Sequence, residues 1–344
     1  MKQSAFPLIT APCLKGVLED GGNHVVIIDV RSNLVHPEKG REAYLESHIP
    51  GAVFADMETD VAGVKTGTNG RHPFPDLETF AEKMRNFGVR KDTFVILYDG
   101  GEANFASRLW FTFRAAGHGD IRVLNGGFKA WVETGLPVTK EIPTPEKGDF
   151  EVGDPLERVF TKEEIEKNLE TGEYLLVDAR SNDRFHGKNE TMDPKGGHIP
   201  GAFNHPSAAN IGPDGYFLRK GELKDGFKAV LDAAAGKPII NYCGSGVTAC
   251  CNHLAMEDVG IQPAGVYIGS DRINASTFPK TIENESRCPM GIWIFFECRN
   301  QKCHPETEFL GRHFESGRKG ITSSQVPCRQ GDFRSPDRAL TATD

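Results

Sequence analysis

An α/β fold built twice over, each copy a mainly parallel sheet flanked by helices, is what this sequence predicts. Three observations carry that prediction. His48-Ile49-Pro50-Gly51-Ala52 returns as His198-Ile199-Pro200-Gly201-Ala202, and Val26-Ile27-Ile28-Asp29-Val30-Arg31 is answered by Leu175-Leu176-Val177-Asp178-Ala179-Arg180. Two further pairs keep the order, Phe94 to Tyr98 with Pro238 to Tyr242 and Val123 to Gly127 with Val266 to Ser270, and the offset drifts only from 150 to 143 residues. A repeat of that length is a duplicated domain. Within each copy short apolar runs alternate with helical periodicity, and strands alternating with helices pair in parallel beneath helices on both faces.

Taken in order, the first copy offers strands at Val26 to Val30, Phe94 to Tyr98 and Val123 to Leu124. Between them Leu77, Phe80, Met84 and Phe87 share one helical face, which Gly88 can end. Pro137 to Pro155 holds four prolines and several charges, so it reads as an extended linker. In the second copy Thr161 and Glu164 form a capping box ahead of Ile165 and Leu169. A further helical face, Leu223, Phe227, Val230 and Leu231, precedes Gly236. The expected division is a first domain over 10–142, a linker over 143–160, a second domain over 161–275 and a tail over 276–344. The tail carries Cys288, Cys298, Cys303 and Cys328, gains Pro, Ser, Arg and Gly, loses helical periodicity, and reads as disordered. Its Cys298, Cys303, His304 and His313 match no tight zinc-finger spacing. No pattern calls for a metal or an organic cofactor.

Composition narrows the function classes. A net charge of −8 argues against a non-specific nucleic-acid binder, and apolar runs such as Phe94 to Tyr98 are too short to span a bilayer. Met1 to Leu18 has neither a sustained apolar core nor arginines, so neither a secretory nor a transit peptide is expected. The expected address is cytoplasmic, with the mitochondrion as the alternative. The eight cysteines show no framework spacing, which suits free thiols in a reducing compartment.

The sharpest chemical signal is Cys243-Gly244-Ser245-Gly246-Val247-Thr248, which follows the apolar run ending at Tyr242 and precedes a helical stretch. Glycines let the backbone curl so that successive N–H groups point inward, and the helix N-terminus behind them favours negative charge. A thiol held there is suited to attack as thiolate. The alternative for Cys243 is a small buried hydrophobe at a strand end. Cys250 and Cys251, further along the helix, read as packing, although Cys250 could resolve an oxidised Cys243.

The repeated His-Ile-Pro-Gly-Ala, the Asp-x-Arg strand ends and the loop hexamer together resemble the two-domain rhodanese superfamily, specifically its 3-mercaptopyruvate sulfurtransferases, over residues 10 to 270. The resemblance implies tandem rhodanese-like domains. It implies that Cys243 takes a sulfur atom as a persulfide from a small-molecule donor and passes it to a thiol, such as that of thioredoxin, or to cyanide. Gly244, Gly246, Val247 and Thr248 would line the donor, and Arg184 matches the arginine that grips a donor carboxylate. Ser245, His72 and Glu58 match a serine, histidine and acid that move protons, with Glu58 standing where aspartate is usual. In the first copy Asp99-Gly100-Gly101-Glu102 replaces the cysteine loop, so that half should be catalytically silent.

Two departures from the family pattern stand out. A second donor-binding arginine ahead of His198 is missing, with only Lys188 and Lys195 near that place, and lysine lacks the bidentate fork. A tryptophan segment expected after Ser270 is replaced by Asp271-Arg272-Ile273. The loop contains no basic residue to attract thiosulfate, which favours mercaptopyruvate as donor. A second hypothesis is therefore a rhodanese-fold binding or regulatory module that has lost turnover. Cysteine phosphatases of related fold need an arginine where this chain has Ala249. Arg184 read alone would be a surface ion-pair residue, His72 a loop closer, and His48 and His198 turn-shaping residues.

Overall fold

The computed structural model describes residues 6–21, 24–67, 69–192 and 196–269. They form two parallel five-stranded sheets of matching topology. The first contains β1 (Leu8–Ile9), β2 (Val25–Asp29), β3 (Val53–Phe54), β4 (Phe94–Tyr98) and β5 (Ile121–Leu124), in the order β1-β5-β4-β2-β3. The second contains β6 (Val159–Phe160), β7 (Leu175–Asp178), β8 (Phe203–Asn204), β9 (Ile239–Tyr242) and β10 (Gly265–Tyr267), in the order β6-β10-β9-β7-β8. Strand for strand the two orders correspond. The central strands β4 and β9 are buried at every residue, as expected in a sheet covered on both faces; β4 is apolar throughout, while β9 buries Asn241 among its apolar residues.

The flanking helices obey the local signals. In α3 (Leu77–Asn86) the Asp76 side chain accepts the Thr79 N–H, Phe80 and Met84 are fully buried, and Leu77 and Phe87 pack against the same core. In α6 (Lys162–Thr171) both halves of the Thr161–Glu164 capping box are formed. The face expected from Leu223 to Leu231 is instead split between α8 (Lys220–Gly226) and α9 (Lys228–Ala234), with buried Phe227 at the joint. That break turns Val230 and Ala234 inward and leaves Leu231 42% exposed.

The two copies meet through equivalent helices. In each copy one helix follows the central strand: α4 (Asn104–Ala115) after β4 and α10 (Val247–Asp258) after β9. They pack against each other, Phe111 meeting the edge of the His253 ring at 5.2 Å, and each is buried on nearly every side. One apolar cluster draws on both sheets, from Val26 and Leu97 to Val177 and Val266.

The chain between the copies runs extended along the first domain. Gly148 N–H donates to Arg85 O, Phe150 N–H to Val89 O and Gly153 N–H to Ala116 O, while the Phe150 ring inserts beside Phe113 and His118. Its end places Glu157 between the paired helices. There Glu157 lies 2.6 Å from Arg114 of α4 and 2.8 Å from His253 of α10. Burial would raise the Glu157 carboxyl, but the His253 and Arg114 partners hold it well below the carboxylate range; burial would lower His253, and Glu157 and Glu257 hold it well above.

Candidate active site

β9 carries Cys243 to the carboxyl edge of the second sheet, and α10 begins four residues later at Val247. The turn between them needs Gly246, whose φ of 73° is left-handed, and a Cβ there would fall 2.8 Å from Arg108 Nη1 and from Ile268. So wound, the loop aims its amides inward. Ser245 N–H and Gly246 N–H reach the Cys243 sulfur at 3.5 and 3.0 Å. The residue is 3% exposed, and the N-terminus of α10 adds its dipole. Negative charge on this sulfur, or on a second sulfur attached to it, meets donors already in place. Gly244 and Val247 are buried in the same turn and Thr248 is half-buried.

Glu58 and His72 come together as a pair. Glu58 projects from the turn Met57–Val61, and its Oε1 accepts from His72 Nε2 at 2.8 Å. Burial lowers the His72 imidazole, against the pull of Glu58, so the neutral ring donates from Nε2 and keeps its lone pair on Nδ1. Among the described residues that Nδ1 is buried and has no hydrogen-bond partner, so it is not hydrogen-bonded to the Ser245 hydroxyl. Glu58 also pairs with Lys65; these two partners outweigh its burial and lower its carboxyl.

Arg184, on the short helix α7 (Asn182–Phe185), is already engaged by a carboxylate. Glu190 accepts from its Nε at 2.9 and 3.1 Å and lies 3.7 Å from Arg180. Glu190 was invisible to sequence reasoning because it falls in the segment where the family pattern is lost. Lys195 lies outside the described residues, as do Asp271 to Ile273, the 276–344 tail and the candidate zinc set within it.

A second residue that the sequence did not reveal is Arg108, from α4 of the first copy. Fully buried, it donates from Nη1 to Ser245 O at 3.2 Å and from Nη2 to the carbonyls of His72 and Pro73, each at 3.1 Å. One guanidinium thus ties the cysteine loop to the His72 loop. The available signal was an arginine inside the otherwise uncharged, aromatic-rich run Phe105 to Phe113.

The equivalent loop of the first copy, Asp99 to Ala103, folds around a carboxylate. Asp99 Oδ1 accepts from the amides of Gly101 and Ala103, and Oδ2 from those of Phe105 and Ala106, at 3.0 to 3.2 Å. Burial and repulsion from Glu102 nevertheless push Asp99 up to about 6. Other repeated residues do the same work twice. Asp29 pairs with Arg31 at 2.7 Å and Asp178 with Arg180 at 2.6 Å, while His48 and His198 each approach a carbonyl, of Tyr44 and of Phe185, at 2.8 Å.

Among the described residues Cys243, Cys250 and Cys251 are free thiols. Cys250 donates to Gly246 O at 3.0 Å, and burial raises both helix thiols, Cys251 to about 12, which fits packing roles. Glu157, His253 and Glu257 bring ligand atoms within 4.8 Å of one another. Arg114 and protonated His253 already balance those carboxylates, so the set closes as an ion cluster. No helix among the described residues is long and apolar enough to cross a membrane.

A cysteine in an amide-lined loop between a parallel strand and a helix, with a twin domain packed against it whose equivalent loop has no cysteine, defines a class of sulfur-handling α/β proteins. The rhodanese-like domain model matches residues 10–134 and 161–270. The chain belongs to the rhodanese family, as a two-domain sulfurtransferase. It is 38% identical over 269 residues to a probable 3-mercaptopyruvate sulfurtransferase of Pseudomonas aeruginosa, covering 78% of this chain and 94% of that protein. It is 35% identical over 243 residues to the thiosulfate sulfurtransferase of Bos taurus, covering 67% and 78%. The crystal structure of SseA from Escherichia coli, described as a 3-mercaptopyruvate sulfotransferase, superposes with a TM-score of 0.67 at 30% identity, covering 76% of this chain and 97% of that one.

Proposed function

We propose that this protein moves a sulfur atom from 3-mercaptopyruvate, and less well from thiosulfate, through a persulfide on Cys243 to a thiol such as that of thioredoxin, or to cyanide. The observation that carries this reading is the convergence of the Ser245 and Gly246 amides on the Cys243 sulfur. In the first half-reaction the Cys243 thiolate attacks the donor sulfur. The carbon–sulfur bond breaks, its electrons pass into the pyruvate enolate, and the proton of the donor thiol ends on the enolate carbon. His72 Nδ1, with Nε2 steadied by Glu58, is the group suited to carry that proton past the Ser245 hydroxyl. An acceptor thiolate then takes the outer sulfur and restores Cys243. The preference for mercaptopyruvate rests on a loop from Gly244 to Thr248 without a basic side chain. Cytoplasm or mitochondrion, where thiols stay reduced, is the setting the chemistry requires.

The test compares turnover of 3-mercaptopyruvate and thiosulfate by the intact chain and by Cys243→Ser. The reading expects 3-mercaptopyruvate to be favoured and the variant to be inactive; favoured thiosulfate overturns the donor assignment, and an active variant overturns the site.

One observation favours the second reading, a binding or regulatory module without turnover: Glu190 already holds the arginine assigned to the donor carboxylate. On the enzymatic reading Glu190→Gln lowers KM for 3-mercaptopyruvate by about fivefold, a shift of the size expected when one competing charge is removed. An intact chain that turns over neither donor, and a Glu190→Gln variant equally inert, would establish the module instead.

A further inference from the structure

We propose that Arg108, a residue of the first copy, is a positioning residue of the catalytic loop, and that the partner of its buried charge is the anionic sulfur carried on Cys243. The inference rests on Cys243 being the sulfur carrier. Arg108, Arg114 and Arg180 are the buried arginines among the described residues. Arg114 holds Glu157 at 2.6 Å and Arg180 holds Asp178 at 2.6 Å, whereas Arg108 donates to the carbonyls of Ser245, His72 and Pro73, lies over the Phe74 ring, and has no carboxylate partner among the described residues. A buried guanidinium without a counter-charge is costly, so a site that retains one has an anion to serve.

The duplication supplies an internal control. Arg108 is the fifth residue of α4 and Cys251 the fifth of α10, so the two hold equivalent places beneath opposite loops. Cys251 interacts electrostatically with Asp99, and Arg108 with Cys250 and Cys243. A cation thus lies on the side of the sulfur and a neutral thiol on the side of the carboxylate. The other charged or titratable groups acting on Cys243 are Cys250 of α10 and Arg180 beyond β7, the latter paired with Asp178. Arg108 is therefore the nearby cation whose charge no carboxylate takes up. Its contact with Ser245 O also fixes the peptide group whose own N–H, that of Gly246, faces the sulfur at 3.0 Å.

The test is the ultraviolet thiolate absorbance of the full chain across pH, taken as the difference between each protein and its Cys243→Ser counterpart. No sulfur donor is involved, so failure here is distinct from failure of sulfur transfer. Arg108→Met should move the thiolate signal to the alkaline side by about one pH unit, a shift typical of losing one close charge. Arg108→Lys, which keeps the charge but not the forked grip on the two loops, should stay near wild type in that titration while losing turnover by about tenfold. A folded Arg108→Met with an unmoved titration overturns the proposal. Should Arg108→Met fail to fold, Arg108→Lys decides alone, because a lysine variant with full turnover, or one with a titration displaced by a whole unit, overturns it as well.

Discussion

The loops after β4 and β9 occupy equivalent places in the two sheets and wrap different side chains, a carboxylate in one and a cysteine in the other. In the first copy four amides close on the Asp99 carboxylate, and still the group is pushed up to about 6, because burial and Glu102 work against them. In the second, two amides face the sulfur of Cys243 and a guanidinium stands behind them. The first loop thus holds its acid with amides alone, whereas the second has amides at the sulfur and a guanidinium from the other copy on its Ser245 carbonyl.

The comparison breaks first at the nucleophile. Cys243→Asp gives the second loop the side chain of the first and should abolish turnover by about 10⁴-fold or more, while Asp99→Asn leaves turnover within about threefold; steady-state kinetics on both variants check this. Next comes the joint between the copies. Glu157→Gln leaves Arg114 and His253 short of a carboxylate and should cost about 3 kcal/mol in denaturant unfolding. The pH limits follow from the two shifted groups. Glu157, held down at about 2, stabilises above its unfolded value of 4.5 and loses that contribution as pH falls through about 2. His253, held up at about 9, stabilises below 6.5 and loses its contribution as pH rises through about 9. Glu157→Gln should flatten both limbs.

Asp99 sharpens the comparison with an opposite sign. Its carboxyl is raised from 3.8 to about 6, so the stability it confers is complete below 3.8 and is lost as pH rises through 6. The stability of wild type relative to Asp99→Asn should fall by about 2 to 3 kcal/mol between pH 4 and pH 7, measured by urea unfolding at each pH. The smallest effect lies at Ala103, which takes the left-handed conformation with φ 58° where the second loop uses Gly246. Ala103→Gly should raise stability by about 1 kcal/mol at most, visible as a small rise in Tm.

Much of this arrangement was legible in the sequence because duplication shows each signal twice. The paired strands at Val26 and Leu175, the Thr161 cap and the Cys243 turn all follow from local patterns that tertiary packing leaves intact. The strands β1, β3, β6 and β8 are two residues long and carry no periodicity to read. Leu231 followed a regular helical spacing that the joint at Phe227 interrupts. The second layer of the site was hidden for another reason. Arg108 lies 137 residues from its Ser245 contact and Glu157 lies 96 from His253, so both act across the joint between copies, where spacing holds no information. Glu190 shows the converse, a nearby partner whose meaning appears only once Arg184 is seen holding it.

The most direct measurement is peptide mass spectrometry of the intact chain after incubation with 3-mercaptopyruvate and removal of excess donor. One additional sulfur atom on the peptide containing Cys243, absent from the peptides containing Cys250 and Cys251 after digestion between them or assignment by fragmentation, is the predicted result. A folded protein whose Cys243 stays unmodified, or whose extra sulfur rides on another cysteine, contradicts the account.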